Sequence, residues 1–317
     1  MIHHQGTEYY FIKNLNGLNF IYDLFRVKMF LNSLVSFTHF YEVAYYIQTI
    51  ASKLTKFTIP IHDYYFLCPS IFLLNKDKKY CNIPSDNRLC DDCFKNYKFN
   101  RDFKNIANFR QMWQVIFDLS NQILVFSHSS KEMLNKVYNI QNDKYMLIPH
   151  KVTWINRKCK NSTNKTHLNI GILGHLCLHK GLGIMEDLFE KSLNLPYMFI
   201  LFGNLSSSKN YMNLTICGEY HRKDIVDNVE KYDIDIFVMP SICPETFSYT
   251  TEEIILMNKP IICFNLGAQA ERVRKYHKGY IANEISAKGL QEQIINFCKN
   301  SKSENFMIKN QNQCVRF

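Results

Sequence analysis

In the second half of the chain the apolar positions fall into short runs, interrupted only by single residues such as Asn169, Thr215 and Asp235, and separated by longer segments with a helical period. The runs Leu168 to Leu173, Tyr197 to Phe202, Leu214 to Cys217, Ile234 to Met239 and Ile261 to Phe264 end in glycine, proline or polar residues. That is the pattern of strands buried on both faces. Between and after them, Leu182 to Leu193, Asp224 to Tyr232, the segment opening at Glu253 and Ala287 to Lys299 read as helices. Strands alternating with helices over short connections predict a doubly wound parallel sheet.

The first half is less regular. Tyr41 to Leu54 and Phe109 to Leu119 keep a helical period, and Phe57 to Ile61, Ile123 to Phe126 and Tyr145 to Ile148 read as strands. Asn19 to Tyr22 reads as a short strand. Ser129-x-x-Glu132 has the spacing of a capping box at a helix start. The polar, aperiodic segment from Asn156 to His167 reads as a linker, dividing the chain into domains 1–158 and 159–317, with a loose tail over 301–317.

Composition narrows the class. With 46% hydrophobic and 21% charged residues the chain can bury a core. No run of about 18 apolar residues predicts a membrane span, and no leader pattern is expected. Eleven cysteines, an odd number without a secreted rhythm, favour a reducing cytosol. The net charge of +10 is concentrated in the first half. Residues 1–160 carry 21 Lys+Arg against 12 Asp+Glu, and residues 161–317 carry 17 against 16. An anionic membrane surface, a phosphorylated lipid or a nucleic acid would each meet that field.

Candidate chemistry sits in three places. Cys68, Cys81, Cys90 and Cys93 could make a tetrahedral thiolate set for a structural zinc, with Cys90-x-x-Cys93 as the knuckle. Four partly buried thiols without a metal are the alternative reading. Glycines follow the strand ends at Gly174, Gly203, Gly218 and Gly267, where backbone N–H groups can approach a phosphate. Lys180 precedes Gly181 and a helix start, placed to meet a diphosphate. The order matches neither GxGxxG nor a P-loop, which disfavours dinucleotide and P-loop readings. Finally, Glu245 lies in the loop after a strand end, and seven residues separate it from Glu253 at the head of a helix.

Gly174 through Lys180-Gly181, Pro240-Ser241, Pro244-Glu245, Glu253, and Pro260 to Gly267 with Ala270-Glu271-Arg272-Val273 resemble the donor domain of retaining family 4 glycosyltransferases. His62-Asp63-Tyr64-Tyr65 and Cys68-Pro69 look like the bacterial branch that makes surface polysaccharides. The resemblance implies a GT-B fold of the α/β class: two Rossmann-like doubly wound domains facing a cleft, the first shortened at its start. It implies a hexosyltransferase type of activity with a UDP- or GDP-sugar donor and no catalytic metal. The acceptor would be a surface glycan or lipid-linked. Lys180 would hold the diphosphate, Glu245 the transferred sugar, Glu253 the ribose hydroxyls and Gly267 the loop beside the diphosphate, with Gly174 and Gly218 in the donor loops. His62 would reach the sugar near the reacting centre. His175 stands near where many members carry an Arg that shares the diphosphate. The implied setting is cytoplasmic, peripheral at the inner face of the plasma membrane, without nucleic acid. A truncated, inactive relative that only binds nucleotide sugar is the alternative.

Overall fold

The computed structural model describes residues 2–4, 7–9, 26–35, 40–95, 103–160 and 167–300. The strand expected at Asn19 to Tyr22 and the tail over 301–317 lie outside the described residues. The chain divides into two compact units, 1–71 with 82–126 and 131–148, and 72–81 with 127–130 and 149–317. Each holds a parallel sheet of its own. Among the described residues no helix is long and apolar enough to cross a membrane.

The N-terminal strands β1 (Ile2–His4) and β2 (Thr7–Tyr9) pair antiparallel. The first unit is then built on β3 (Lys28–Phe30), β4 (Lys56–Pro60), β5 (Gln122–Val125) and β6 (Tyr145–Leu147), all parallel and in sequence order. The helices are α1 (Phe40–Ile50), α2 (Asn87–Phe94), α3 (Ile106–Leu119) and α4 (His128–Asn135). Helix α3 buries Ile106, Phe109, Trp113, Ile116 and Phe117, a stripe at helical spacing. Trp113 sits among Tyr65, Phe66, Phe109 and Phe117, mostly edge to face.

Two local expectations change. Helix α4 begins at His128, and Ser127 Oγ accepts from the Ser130 amide at 3.1 Å. The cap is therefore Ser127, not Ser129. Helix α2 was not legible as a helix because its sequence, NRLCDDCF, is polar; Asp86 caps it by accepting from the Arg88 amide.

The second unit has six parallel strands: β7 (Leu168–Leu173), β8 (Tyr197–Phe202), β9 (Leu214–Gly218), β10 (Ile236–Met239), β11 (Ile261–Phe264) and β12 (Gly279–Ala282). Their order is β12-β11-β10-β7-β8-β9. Its helices are α5 (Leu182–Lys191), α6 (Ile225–Lys231), α7 (Tyr249–Leu256), α8 (Gly267–Arg274) and α9 (Ala287–Asn300).

Strands β7, β8, β10 and β11 are buried on both faces, which explains their apolar runs, whereas β9 is an edge strand with Thr215 and Ile216 exposed, contrary to the expectation for Leu214 to Cys217. Leu168, Ile170, Ile172, Phe199, Leu201, Ile236 and Val238 face the side covered by Met185, Leu188 and Phe189 of α5 and Leu290 and Ile294 of α9. Their neighbours Leu173, Ile200, Phe202, Phe237 and Met239 face Ile225 and Val229 of α6, Ile254 of α7, and Ala270 and Val273 of α8. The period of two assigns alternate residues to the two layers. Gly171 has no side chain because a Cβ there would lie 2.4 Å from the Phe237 ring across the β7–β10 pairing.

The sheet order reverses between β7 and β10, the point at which ligands bind in open α/β sheets, beyond the strand carboxyl ends. Phe199→Ala, a fully buried truncation in β8, is expected to lower unfolding free energy by about 3–5 kcal/mol. Met212→Ala, at a residue 90% exposed, should stay within about 0.5 kcal/mol. Urea unfolding of the two variants checks the assignment.

Candidate functional site

Two loops leave the sheet at the reversal point. After β7 the chain passes Gly174 and a single 3-10 turn, Leu178–Lys180, into α5. After β10 it runs from Pro240 through Glu245 to Ser248, whose hydroxyl accepts from Thr251 N–H and caps α7. The two loops press together through glycine. Gly181 has φ +83°, and a Cβ on it would lie 2.0 Å from the Pro240 carbonyl oxygen. The His179 carbonyl accepts the Ile242 N–H at 3.1 Å, and the Ser241 hydroxyl lies 3.4 Å from the same oxygen.

This packing brings Lys180 Nζ onto Glu245 Oε1 in a tight ion pair. Burial opposes the Lys180 charge. The Glu245 carboxylate and its hydrogen bond, with the Cys243 and Cys177 thiols, act the other way and prevail, so the Lys180 pKa is raised. Lys180 therefore stays a cation at neutral and mildly alkaline pH. Histidine 179 behaves differently: burial first, then the Lys180 charge, lowers its pKa and keeps the ring neutral.

A third element locks Glu245 in place. Helix α8 starts at Gly267, with φ +55°, where a Cβ would lie 2.6 Å from the Glu245 amide nitrogen. The Ala268 N–H donates to the Glu245 carbonyl at 3.0 Å. Gln269, fully buried, accepts the Glu245 N–H at 3.0 Å and donates to the Cys243 carbonyl at 2.9 Å. Neither α5 nor α8 has a side-chain cap. With two uncapped helix starts and an ammonium beside them, the site can hold an anion such as a phosphate.

Glu253 lies one turn into α7 and is only 2% exposed. Its Oε1 accepts from the Trp154 indole N–H at 2.8 Å. Its Oε2 is buried and has no hydrogen-bond partner among the described residues. Burial pushes the carboxyl pKa up, while the indole N–H, the Arg222 charge and the Tyr220 phenol draw it back only in part. Arg222 lies over the Trp154 ring at 4.6 Å, and Tyr249 stacks beside Trp154 and His150.

The remaining candidates are placed separately. Gly174, with φ +98°, ends β7 next to Gly203, where a Cβ would strike the Gly174 carbonyl at 2.2 Å. Gly218, with φ +75°, ends β9. His175 is exposed and hydrogen-bonds Ser206 Oγ at 2.7 Å. In the first unit His62 follows β4, its ring on Phe126 at 4.8 Å. Burial lowers its pKa against the opposing pull of Asp63. Asp63 accepts from Ser33 Oγ and from the Tyr65 N–H, both at 2.9 Å.

The zinc expectation is corrected. Among the described residues no three His, Cys, Asp or Glu side chains are grouped to hold a metal. Cys90 and Cys93 lie within α2 and not on a knuckle turn, and Cys90 Sγ faces the Arg110 guanidinium at 3.7 Å. Cys68 follows the Tyr64 turn, its amide donating to the Tyr64 carbonyl. Cys81 belongs to the 72–81 segment. There Asn75 Oδ1 accepts the Asp77 and Lys79 amides, and Leu74 bridges Tyr80.

Sequence reasoning missed Trp154, Gln269, Tyr220 and Arg222. Trp154 sits just ahead of a stretch read as linker. Gln269 offered one signal, a lone amide among small residues directly after Gly267-Ala268.

Residues 155–313 match the family model described as glycosyl transferases group 1. No curated protein matches the chain. Among solved structures, Anabaena HepE in complex with UDP aligns over 94% of this chain and 77% of its own, at 12% identity and a TM-score of 0.60. A glycosyltransferase from Rickettsia africae aligns over 97% of this chain and 79% of its own, at 15% identity and a TM-score of 0.58. Sucrose-phosphate synthase from Thermosynechococcus elongatus aligns over 91% and 68%, at 12% identity and a TM-score of 0.58. At these identities the likeness establishes the fold, GT-B, with two parallel-sheet Rossmann-like domains. The matched segment spans half the chain and contains Lys180, Glu245, Glu253 and Gly267, so the chain belongs to the group 1 glycosyl transferases.

Proposed function

We propose that the protein is a retaining glycosyltransferase of the family 4 type, moving a sugar from a UDP- or GDP-sugar to a surface glycan or lipid-linked acceptor. The observation that carries this reading is the Lys180–Glu245 pair at the sheet reversal, flanked by two uncapped helix starts. Structures of Anabaena HepE hold UDP with glucose, and UDP-glucose, which supports a nucleotide-sugar donor here. The donor site would belong to the unit that includes 149–317, somewhat earlier than the expected boundary at 159, and the acceptor site to the unit built on β3–β6; the basic excess of residues 1–160 suits an anionic acceptor or the inner face of a membrane.

The chemistry follows from charge. A departing nucleoside diphosphate gains negative charge, and Lys180 with the uncapped start of α8 at Gly267 would stabilise it without a metal, while the Gly174 and Gly218 loops would border the donor. In the free protein Glu245 holds that ammonium. A diphosphate competes for Lys180 and releases the carboxylate towards the sugar. Glu253 Oε2 would take a ribose hydroxyl, and His62, neutral at pH 7, would hydrogen-bond the sugar from the acceptor domain. In a same-face mechanism the leaving phosphate takes the acceptor proton, so no separate base is needed.

A thermal-shift series with UDP-, GDP- and ADP-sugars tests the reading. At about 100 times Kd the correct donor adds about 2.7 kcal/mol of stability, seen as a raised melting temperature. Lys180→Ala should abolish the shift given by that donor. No shift with any nucleotide sugar in the intact chain would defeat the proposal.

Glu245→Gln separates donor binding from transfer. It should keep the shift produced by the free nucleoside diphosphate, yet lose roughly 100-fold in transfer or donor hydrolysis. Gly267→Ala forces a Cβ against the Glu245 amide and should weaken both binding and turnover. Calorimetric titration alongside steady-state kinetics distinguishes the two variants.

A further inference from the structure

Glu253 is a buried carboxylate whose two oxygens are treated unequally. Oε1 has the Trp154 indole N–H at 2.8 Å, whereas Oε2 is sealed from solvent with no partner among the described residues. A buried acceptor without a hydrogen bond is costly, so the position favours a donor supplied from outside. Trp154 is itself fixed, by this charge-assisted bond and by the Tyr249 ring at 6.1 Å. The outer layer is Arg222, an exposed residue whose guanidinium rests on the faces of Trp154 and Tyr249 at 4.6 and 5.8 Å. A cation on a ring at an exposed site gains little. Arg222 is therefore the group that yields first when a ligand approaches.

We infer that Trp154 is a positioning and specificity-determining residue of a ribose subsite. Its N–H fixes one oxygen of Glu253 and leaves the other to accept from a ribose hydroxyl beside the Tyr220 phenol, while Arg222, stacked on the indole, shifts when a nucleotide arrives. This rests on the reading of Glu253 as the ribose contact. It adds that discrimination for ribose depends on a tryptophan outside the paired-acid motif, and that nucleotide entry disturbs the Arg222–Trp154 stack.

The test uses the full chain with UDP, GDP and ADP and their 2′- and 3′-deoxy analogues, read by calorimetry and tryptophan emission. The chain has two tryptophans, and the other, Trp113, is fully buried in the first unit. The intact protein should prefer the ribonucleotide over its worse deoxy analogue by roughly tenfold or more, with an emission change on binding. Trp154→Phe should reduce that ratio to about twofold and remove the emission change. A merely structural tryptophan would weaken ribo and deoxy ligands equally. Arg222→Ala, at an exposed position, gives a second measurement: the unliganded emission should already differ from wild type, and nucleotide should change it little. If nucleotide binds but Trp154→Phe keeps the ratio, or Arg222→Ala keeps the full emission change, the inference is overturned and the proposed function stands. If no nucleotide binds the intact chain, both fail together.

Discussion

The site depends on how closely two backbone segments approach beyond the carboxyl ends of β7 and β10. Gly181 and Gly267 set that approach. A side chain at Gly181 would enter the Pro240 carbonyl, and one at Gly267 would enter the Glu245 amide. Both have positive φ, which a residue with a Cβ adopts only with strain. Because these positions are glycine, the loop holding Glu245 is clamped from two sides, by the 3-10 turn after β7 and by the first turn of α8. The Lys180–Glu245 pair is a consequence of that clamp. Neither residue is long enough to find the other from a loose loop at low entropic cost.

The sheet explains why the clamp is rigid. Strands β7 and β10 are buried on both faces, and their alternate side chains anchor in two separate apolar layers. The loops are thereby held at both ends by core packing, with little freedom left to spend on binding. Gln269 closes the remaining gap with one amide, satisfying a donor and an acceptor of the Pro240–Ser248 loop at once. A buried amide with both ends engaged stabilises one loop conformation over its alternatives.

Much of this was legible in sequence. Predominantly apolar runs gave β7, β8, β10 and β11, since strands buried on both faces leave little alternation to confuse with a helix, and β9 was read correctly although it is a partly exposed edge strand. Glu245 and Glu253 could be placed on a loop and a helix from Pro240 and the apolar period after Glu253. The less legible elements share a physical cause. Helix α2 has a polar sequence held by a cap, and β12 is only Gly279–Ala282. Helix α8 begins with Gly267-Ala268, which reads as a turn. The structure does not support a metal at the cysteine set, and spacing alone cannot distinguish a metal knuckle from two thiols on a short helix. Trp154 was invisible because its partner lies 99 residues away, and no local period signals such a contact.

The two acids differ in how they meet a ligand. Glu245 is already paired with the Lys180 cation, so in the proposed complex a diphosphate would exchange one charge pair for another. That exchange keeps the net cost of removing charge from water low at every stage, because Lys180 is never left without an anion. Glu253 is half satisfied before binding, and its free oxygen gains a donor without losing a partner. An exchange contributes selectivity for a group of matching charge, and a vacancy contributes affinity for a group of matching shape. On the proposed reading a nucleotide sugar carries both, a diphosphate for the first acid and a ribose for the second. The seven-residue gap between them is the distance from a clamped loop to the first turn of the helix it leads into.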